Sequence, residues 1–404
     1  MFWLDLVPPP TTRQPLSYTS FVDELLPPLL SYYVTAVLAC LPDTQIIRLA
    51  LLPATLWMTF RAATSIDLVS QYDDERLIYW NHGLLLTLTT LAMRVISWTF
   101  QSEPRRRRDP KTKPIPEDET TQSISIKQAC FDAGDLILNL RGIGWDWSIG
   151  LQVPPEWRTT SSITTFLAQT FASFVFHLVA FDHLHFTIQS FSPSTIGAAC
   201  GGTIFDASLP PVQRYLRSSF ISFLSGLTIY SAIQLVYDLC TMIGLLVYRQ
   251  TPAQWPPLFY QPWKATSLNE FWALRWHQLF RDQFISCGGR ILLLLLGRPG
   301  AVMGVFFMSA VLHHFGTWGM GRGVDFASIG GYFLLMGVGV ILEGFWKKLT
   351  GNRVQGLVGW IWTISWTIGA ANNLIDAWSE RGLIGSQFLP AEWRPSRWLP
   401  GLVL

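Results

Sequence analysis

The chain has 404 residues, half of them hydrophobic and only 14% charged, with 19 Trp. Soluble domains carry about 25% charged residues, so a disordered chain, a coiled coil and an ordinary cytosolic enzyme are poor fits. With 29 Lys and Arg against 27 Asp and Glu, the charge balance gives no reason to expect nucleic acid. Trp favours the membrane–water boundary, where an apolar ring keeps its N–H wet, and the composition predicts an integral membrane protein.

Crossing the hydrocarbon core takes about 20 mostly apolar residues as a helix. The N-terminal MFWLDLVPPP lacks the basic, apolar and small-residue order of a cleaved leader, so the first membrane helix is expected to do the targeting. That helix is predicted over residues 25–41, after a Pro-Pro pair, with 46–60 following as its antiparallel partner. Further spans are expected at 83–100 and at 163–181, the latter ending in Asp182, His183 and His185. The run 215–248 is too long for one ordinary span and reads either as a tilted helix or as two helices broken near Ser231. Residues 291–296 stop at Gly297-Arg298-Pro299-Gly300 and read as a re-entrant piece or as half of a broken helix. Runs at 301–315, 329–346 and 356–371 complete an all-α, polytopic bundle of seven to nine spans, forming one domain over residues 1–404 around a central tunnel. The scattered Cys40, Cys130, Cys200, Cys240 and Cys287 have neither disulfide nor zinc spacing and read as apolar fillers.

Two polar segments interrupt the pattern. Residues 101–161 hold Arg105 to Arg108, Lys111 and Lys113, then Glu117-Asp118-Glu119, and read as a solvated loop on the cytoplasmic side. The loop ends in LILNLRGIGWDWSIGL, whose mixture of apolar residues and Trp fits an interfacial or re-entrant element. Residues 249–290 are rich in Pro and Trp and carry the most informative residues.

Among the seven His, His313 and His314 stand inside the apolar run AVMGVFFMSAVLHHFGTW. An ionisable residue within a span is expensive and defaults to a functional hypothesis. Adjacent helical positions point about 100° apart, so the two cannot both face one small site. The second constellation runs from Asn269 to Arg281. Read as a helix, it puts Phe271, Arg275 and Gln278 on one side, Trp272, Trp276 and Phe280 on another, and lets His277 share a face with Arg281. Arg clamps phosphate and Trp seats an acyl chain or ring, so this segment suits a phosphate-bearing amphiphile or, more plainly, an interfacial anchor with snorkelling Arg.

The fragment FWALRWHQLFR, followed some thirty residues later by SAVLHH in an apolar helix, resembles the wax-synthase branch of the membrane-bound O-acyltransferases. RGIGWDW is similar to a segment of the fungal members of that branch, many of which are natural-product acetyltransferases. The resemblance implies acyl transfer from acyl-coenzyme A to a hydroxyl, with acyl-CoA as co-substrate, no permanently bound cofactor and no metal. It places the family's intramembrane His at His313, with Ser309 four residues before it, and the second polar position at His277. Ala310 departs from a Gly often found after the Ser, and His314 stands where an acidic residue often follows. His313 is then expected to take the acceptor's proton, a role worth about 10² to 10⁴ in rate. His277 or Asn269 would hydrogen-bond the thioester carbonyl, Arg275 and Arg281 would meet the coenzyme's phosphates, and Trp272, Trp276, Ser309 and His314 would line the substrates. The expected partners are the bilayer, acyl-CoA and a hydrophobic alcohol, at the endoplasmic reticulum. The fungal resemblance favours acetyl and a terpenoid or related acceptor, with a wax ester synthase as the alternative.

Rival readings are weaker. A di-iron enzyme would use His177, His183 and His185 of FHLVAFDHLHF, but Ala310 stands where an H-x-x-H-H box needs His. A membrane prenyltransferase needs Asp-rich motifs, and Asp73-Asp74-Glu75-Arg76 and Asn372-Asn373-Leu374-Ile375-Asp376 are imperfect. His183 and His185 read as loop or interfacial residues, and Glu343 as a span-end group beside Lys347 and Lys348. A transporter is expected to show paired broken helices, and residues 292–304 have no counterpart.

Overall fold

Proline opens a helix well because the first helical N–H groups have no intrahelical acceptor to lose. Here the Pro27-Pro28 pair lies instead inside a longer helical stretch, Tyr18–Cys40, which Ser17 caps by accepting the Ser20 N–H at 3.1 Å and which widens into a π-turn over Phe21–Leu25 just before the prolines. In the computed structural model, which describes residues 7–108, 125–148 and 150–398, the first long helix is α1 (Leu26–Cys40). It is followed by α2 (Gln45–Ser65), which carries Pro53 in its interior, and by α3 (Tyr79–Thr99) and α4 (Ile126–Leu136). Then come α5 (Ile163–Ser190), α6 (Pro211–Leu246), α7 (Arg290–Gly319), α8 (Phe326–Thr350) and α9 (Gly356–Glu380). The strands among the described residues are β1 (Gln14–Pro15) and β2 (Ile66–Asp67), paired in parallel. The chain is an all-helical polytopic bundle.

Among the described residues, six helical stretches are long and apolar enough to cross a membrane: Tyr18–Cys40, Gln45–Ser65, Ile163–Ser190, Pro211–Leu246, Arg281–Gly319 and Phe326–Thr350. The expected seven to nine spans become six by this standard, because α3 and α9 are long enough but less apolar. The run near Ser231 is unbroken: α6 has 36 residues, about 54 Å of helix, longer than the hydrocarbon core is thick. The helix breaks at Gly297 and its two halves turn back on each other, with Gly300 against the Leu292 carbonyl and Gly304 against that of Gly288. Gly297 takes φ +64°, which glycine tolerates, and Pro299 follows within α7. The fourth expected span runs on to Ser190, so Asp182, His183 and His185 lie inside α5 rather than in a loop.

The described residues divide into two compact units. One comprises Met1–Asp73, Trp80–Leu151 and Leu279–Gly321, and the other Asp74–Tyr79, Gln152–Gln278 and Arg322–Leu404.

In the first unit, Tyr32, Ala36 and Cys40 of α1 pack with Leu91, Val95 and Trp98 of α3 and Ala129, Ala133 and Leu136 of α4. Trp98 stacks on Tyr32 at 5.0 Å. Two buried arginines close helix ends, where carbonyls lack intrahelical donors. Arg48 donates to the Trp98 and Gln101 carbonyls, and Arg94 to those of Leu136 and Asn139. The RGIGWDW segment forms a partly buried turn packed against this core. Trp145 is fully buried and its indole N–H reaches Asp135 at 2.7 Å. Asn139 ties the turn from both sides, accepting from the Gly142 N–H at 2.8 Å and donating to the Ile143 carbonyl at 3.0 Å.

Within the arginine run Arg105 is largely covered, whereas Arg107 and Arg108 stay exposed. Arg107 pairs with Asp132 at 2.5 Å and lies over the Trp145 ring. Arg105 faces Asp282 at 3.8 Å and the Trp147 ring at 5.5 Å. Lys111, Lys113 and Glu117-Asp118-Glu119 lie outside the described residues.

In the second unit α5 and α6 form an extensive pair, joined in mid-helix by Ser173 Oγ donating to Asp238 at 2.6 Å. The polar end of α5 anchors the C-terminal segment. Asp182 takes the Arg394 guanidinium and the Ser396 N–H, both at 2.7 Å, and His185 Nε2 meets the Ile384 carbonyl at 2.8 Å. Asp325 caps α8 by accepting from the Ser328 N–H at 3.0 Å.

Candidate functional site

His313 sits on the second half of α7, in the first unit. Its Nδ1 lies 2.8 Å from the Ser309 carbonyl, one turn earlier. A carbonyl only accepts, so Nδ1 carries the proton and Nε2 is the basic nitrogen of the neutral ring. Ser309 and Ala310 are buried. Across from this turn stands His82 of α3, which hydrogen-bonds Gly316 and lies within electrostatic reach of His313. Gly316 permits the approach, since a methyl group there would stand 2.9 Å from the His82 ring. His314 is turned away by one helical step, beside Phe315. His82 was missed in the sequence, although it occupies an apolar run and the rule that singled out His313 applies to it too.

The first unit also holds Arg281, at the start of the short helix Arg281–Phe284. Its guanidinium points past Gly150, 3.6 Å from where a side chain there would begin. Arg105 is nearby in sequence terms to none of this, yet its pairing with Asp282 puts it beside the same helix start. Burial holds the Arg105 guanidinium below its ordinary value, opposed by Asp282 and Asp146. Burial likewise raises the Asp146 carboxyl, opposed by Arg105.

The FWALRWHQ segment belongs to the second unit. A short α-helix, Leu268–Glu270, widens into a π-turn, Phe271–Arg275. Trp276 N–H closes that turn on the Phe271 carbonyl at 2.7 Å, and Trp276 itself is extended (φ −79°, ψ 157°). The expected continuous helix therefore ends at Arg275, and His277 and Arg281 do not share a helical face. Glu343 supplies the start of the segment. Its buried carboxylate accepts the Leu268 N–H at 2.6 Å, the Asn269 N–H at 3.0 Å and the Trp362 indole N–H at 3.0 Å. This acid is a helix cap, not a span-end partner for Lys347 and Lys348.

Arg275 is held on two sides. It pairs with Glu270 at 2.7 Å and donates to the Tyr260 and Gln261 carbonyls. Burial alone would raise the Glu270 carboxyl, but the Thr266 N–H, Arg275 and the Thr266 hydroxyl hold it below the usual range. The aromatic residues form a ladder. Phe271 stacks on Trp276 at 5.5 Å, Trp272 meets Tyr332 edge-on at 6.5 Å, and Phe259 touches Trp276 at 5.0 Å and His277 at 5.8 Å.

The site residues expected from sequence thus fall into two groups. His313, His314, Ser309 and Arg281 belong to the first unit, and Asn269, Trp272, Arg275, Trp276 and His277 to the second. Among the described residues, no three His, Cys, Asp or Glu side chains cluster as ligands for a metal ion.

Residues 255–335 match the model of the membrane bound O-acyl transferase family. That region contains His277, His313 and His314, and excludes His82, His177, His183 and His185. Three relatives align over longer stretches. Acetyltransferase eriL of Hericium erinaceus is 23% identical over 67% of this chain and 72% of its own length. O-Mevalon transferase macI of Penicillium terrestre is 29% identical over 63% of each chain. O-Mevalon transferase yanI of Aspergillus niger is 24% identical over 84% of this chain and 81% of its own.

Proposed function

We propose that the chain is an acyltransferase of the membrane-bound O-acyltransferase family and that it esterifies a hydroxyl of a terpenoid or related natural product from an acyl-CoA, with acetyl favoured. The observation that carries the mechanism is the hydrogen bond from His313 Nδ1 to the Ser309 carbonyl, which leaves Nε2 as the proton acceptor.

An alcohol is a weak nucleophile toward a thioester at neutral pH. As its oxygen bonds to the thioester carbon, its proton passes to His313 Nε2. The C–S bond then breaks and the departing thiolate of coenzyme A takes that proton, so the ring returns to its starting state. General-base assistance of this kind is worth about 10² to 10⁴ in rate.

For His277 and Asn269 the proposal stays as the resemblance gives it, a hydrogen bond to the thioester carbonyl. Trp272, Trp276 and His314 are proposed as substrate-lining side chains. Arg281 keeps its assignment to the coenzyme's phosphates. Arg275, already committed to Glu270 and two carbonyls, is read as a positioning group for the segment. The protein is an integral membrane protein, and residence in the endoplasmic reticulum is part of this proposal.

The names of the relatives support acetyl as the transferred group, while two of them, named O-mevalon transferases, favour a second reading with a different acyl group. Microsomes supplied in parallel with acetyl-CoA, palmitoyl-CoA and mixed terpenoid and fatty alcohols separate acetyl transfer from fatty-acyl transfer by product mass. An acetyl ester is the expected product. A fatty ester from a fatty alcohol would overturn the acetyl assignment in favour of the wax ester synthase.

A further inference from the structure

The mid-helix contact between α5 and α6 borders a cavity of about 190 Å³ that the acyl-transfer mechanism does not use. Ser173 and His177, one turn apart on α5, face Tyr230, Gln234 and Asp238, spaced one turn apart on α6, and Phe259 closes one side. All lie in the second unit. Asp238 is buried and already accepts from Ser173 Oγ at 2.6 Å and Gln234 Nε2 at 2.8 Å. His177 is only 8% exposed, and its Nδ1 has no hydrogen-bond partner among the described residues. A buried polar nitrogen without a partner costs free energy, and the residue that carries it lines this cavity.

We propose that this cavity binds a small, neutral, hydroxylated ring, whose hydroxyl completes the hydrogen bonding of His177. Three observations select that chemistry. An engineered apolar cavity of about 150 Å³ holds one benzene, so this volume suits a single six-membered ring with an oxygen or two. A hydroxyl both donates and accepts, so it satisfies Nδ1 in either tautomer of His177, which an ammonium or a carboxylate does not. The walls carry charges of both signs. Asp238 disfavours an anion, and Arg158, which also lines the cavity while paired with Glu156 at 2.9 Å, disfavours a cation.

The ring faces are provided for as well. Tyr230 meets His177 edge-on at 5.4 Å and Phe259 at 4.5 Å. Phe259 in turn touches His277 at 5.8 Å, so occupancy of the cavity bears on a wall shared with the family-matched segment. The ligand class includes the acceptors of the acyl-transfer reading, but binding is tested without acyl-CoA and stands or falls apart from that reading.

The test measures fluorine-19 line broadening of 4-fluorophenol on the full chain in nanodiscs, for the wild type and for His177→Phe and Tyr230→Phe. Helix content by circular dichroism checks the fold of each variant. Fluorobenzene and 4-fluorobenzylammonium are the comparison probes. The expected result is 4-fluorophenol binding that weakens at least tenfold in His177→Phe, as loss of a buried hydrogen bond implies, with fluorobenzene weaker on the wild type. Tyr230→Phe, which keeps the wall and the His177 nitrogen, is expected to retain that binding within a few-fold. Equal binding of fluorobenzene and 4-fluorophenol would overturn the proposal in favour of a plain apolar void. Tighter binding of the ammonium, or 4-fluorophenol binding unchanged in a folded His177→Phe, would overturn it as well.

Discussion

His313 donates from Nδ1 to the Ser309 carbonyl at 2.8 Å, and that one contact decides which ring nitrogen is basic. The arrangement is not peculiar to this residue. His183 Nδ1 stands 2.9 Å from the Val179 carbonyl in the same one-turn relation on α5. What separates the two is context: residues 255–335, matched to the acyltransferase family, include His313 and leave out His183. His183 is therefore an internal control for any claim about His313.

Glu343 is expected to be the most sensitive acid for folding of the FWALRWHQ segment. Replacing it by Ala strands the Leu268 and Asn269 N–H groups and the Trp362 indole that it accepts. Each buried donor left unsatisfied costs about 1–3 kcal/mol. Thermal unfolding in detergent should place Glu343→Ala well below the wild type and Glu343→Gln between them. Equal midpoints for Glu343→Ala and the wild type would show that the cap contributes nothing.

Two glycines of RGIGWDW make a matched pair. Gly142 and Gly144 both take positive φ, +69° and +81°, a region that costs other residues roughly 1–2 kcal/mol. Only at Gly142 would a Cβ also strike the Trp147 ring, at 2.6 Å, whereas at Gly144 it meets open space. Gly142→Ala should therefore unfold at lower temperature than Gly144→Ala, and the reverse order would contradict the packing described.

Glu270 gives the pH dependence a sign. Its carboxyl is held below the usual range by Thr266 and Arg275 against the opposing effect of burial. A carboxyl depressed in the folded state contributes stability that is complete above its unfolded value, about 4.3, and is lost as pH falls through the folded one. The gap in melting temperature between the wild type and Glu270→Gln should be widest near neutral pH and close below about pH 4. A gap that stays constant with pH would remove the ion pair from the explanation.

Long apolar runs were legible in the sequence because about 20 apolar residues have few other uses. The π-turn at Phe271–Arg275 was not, since its residues also fit an ordinary helical period and only the extended backbone at Trp276 breaks it. Arg105 read as solvated because its partner Asp282 is remote in sequence. Glu343 misled for the same reason: Lys347 and Lys348 are its neighbours along the chain, while the N–H groups it caps lie 75 and 74 residues away. Local spacing exposed His313, but not the approach of His82, which depends on the missing side chain at Gly316.

The most direct test compares microsomes carrying wild type, His313→Ala and His183→Ala at matched levels, supplied with acetyl-CoA and mixed terpenoid and fatty alcohols, with esters read by mass. The account predicts an acetyl ester from the wild type and from His183→Ala, and a loss of about 10² or more in His313→Ala. Ester formation at equal rates by the wild type and His313→Ala would contradict the assignment of the base.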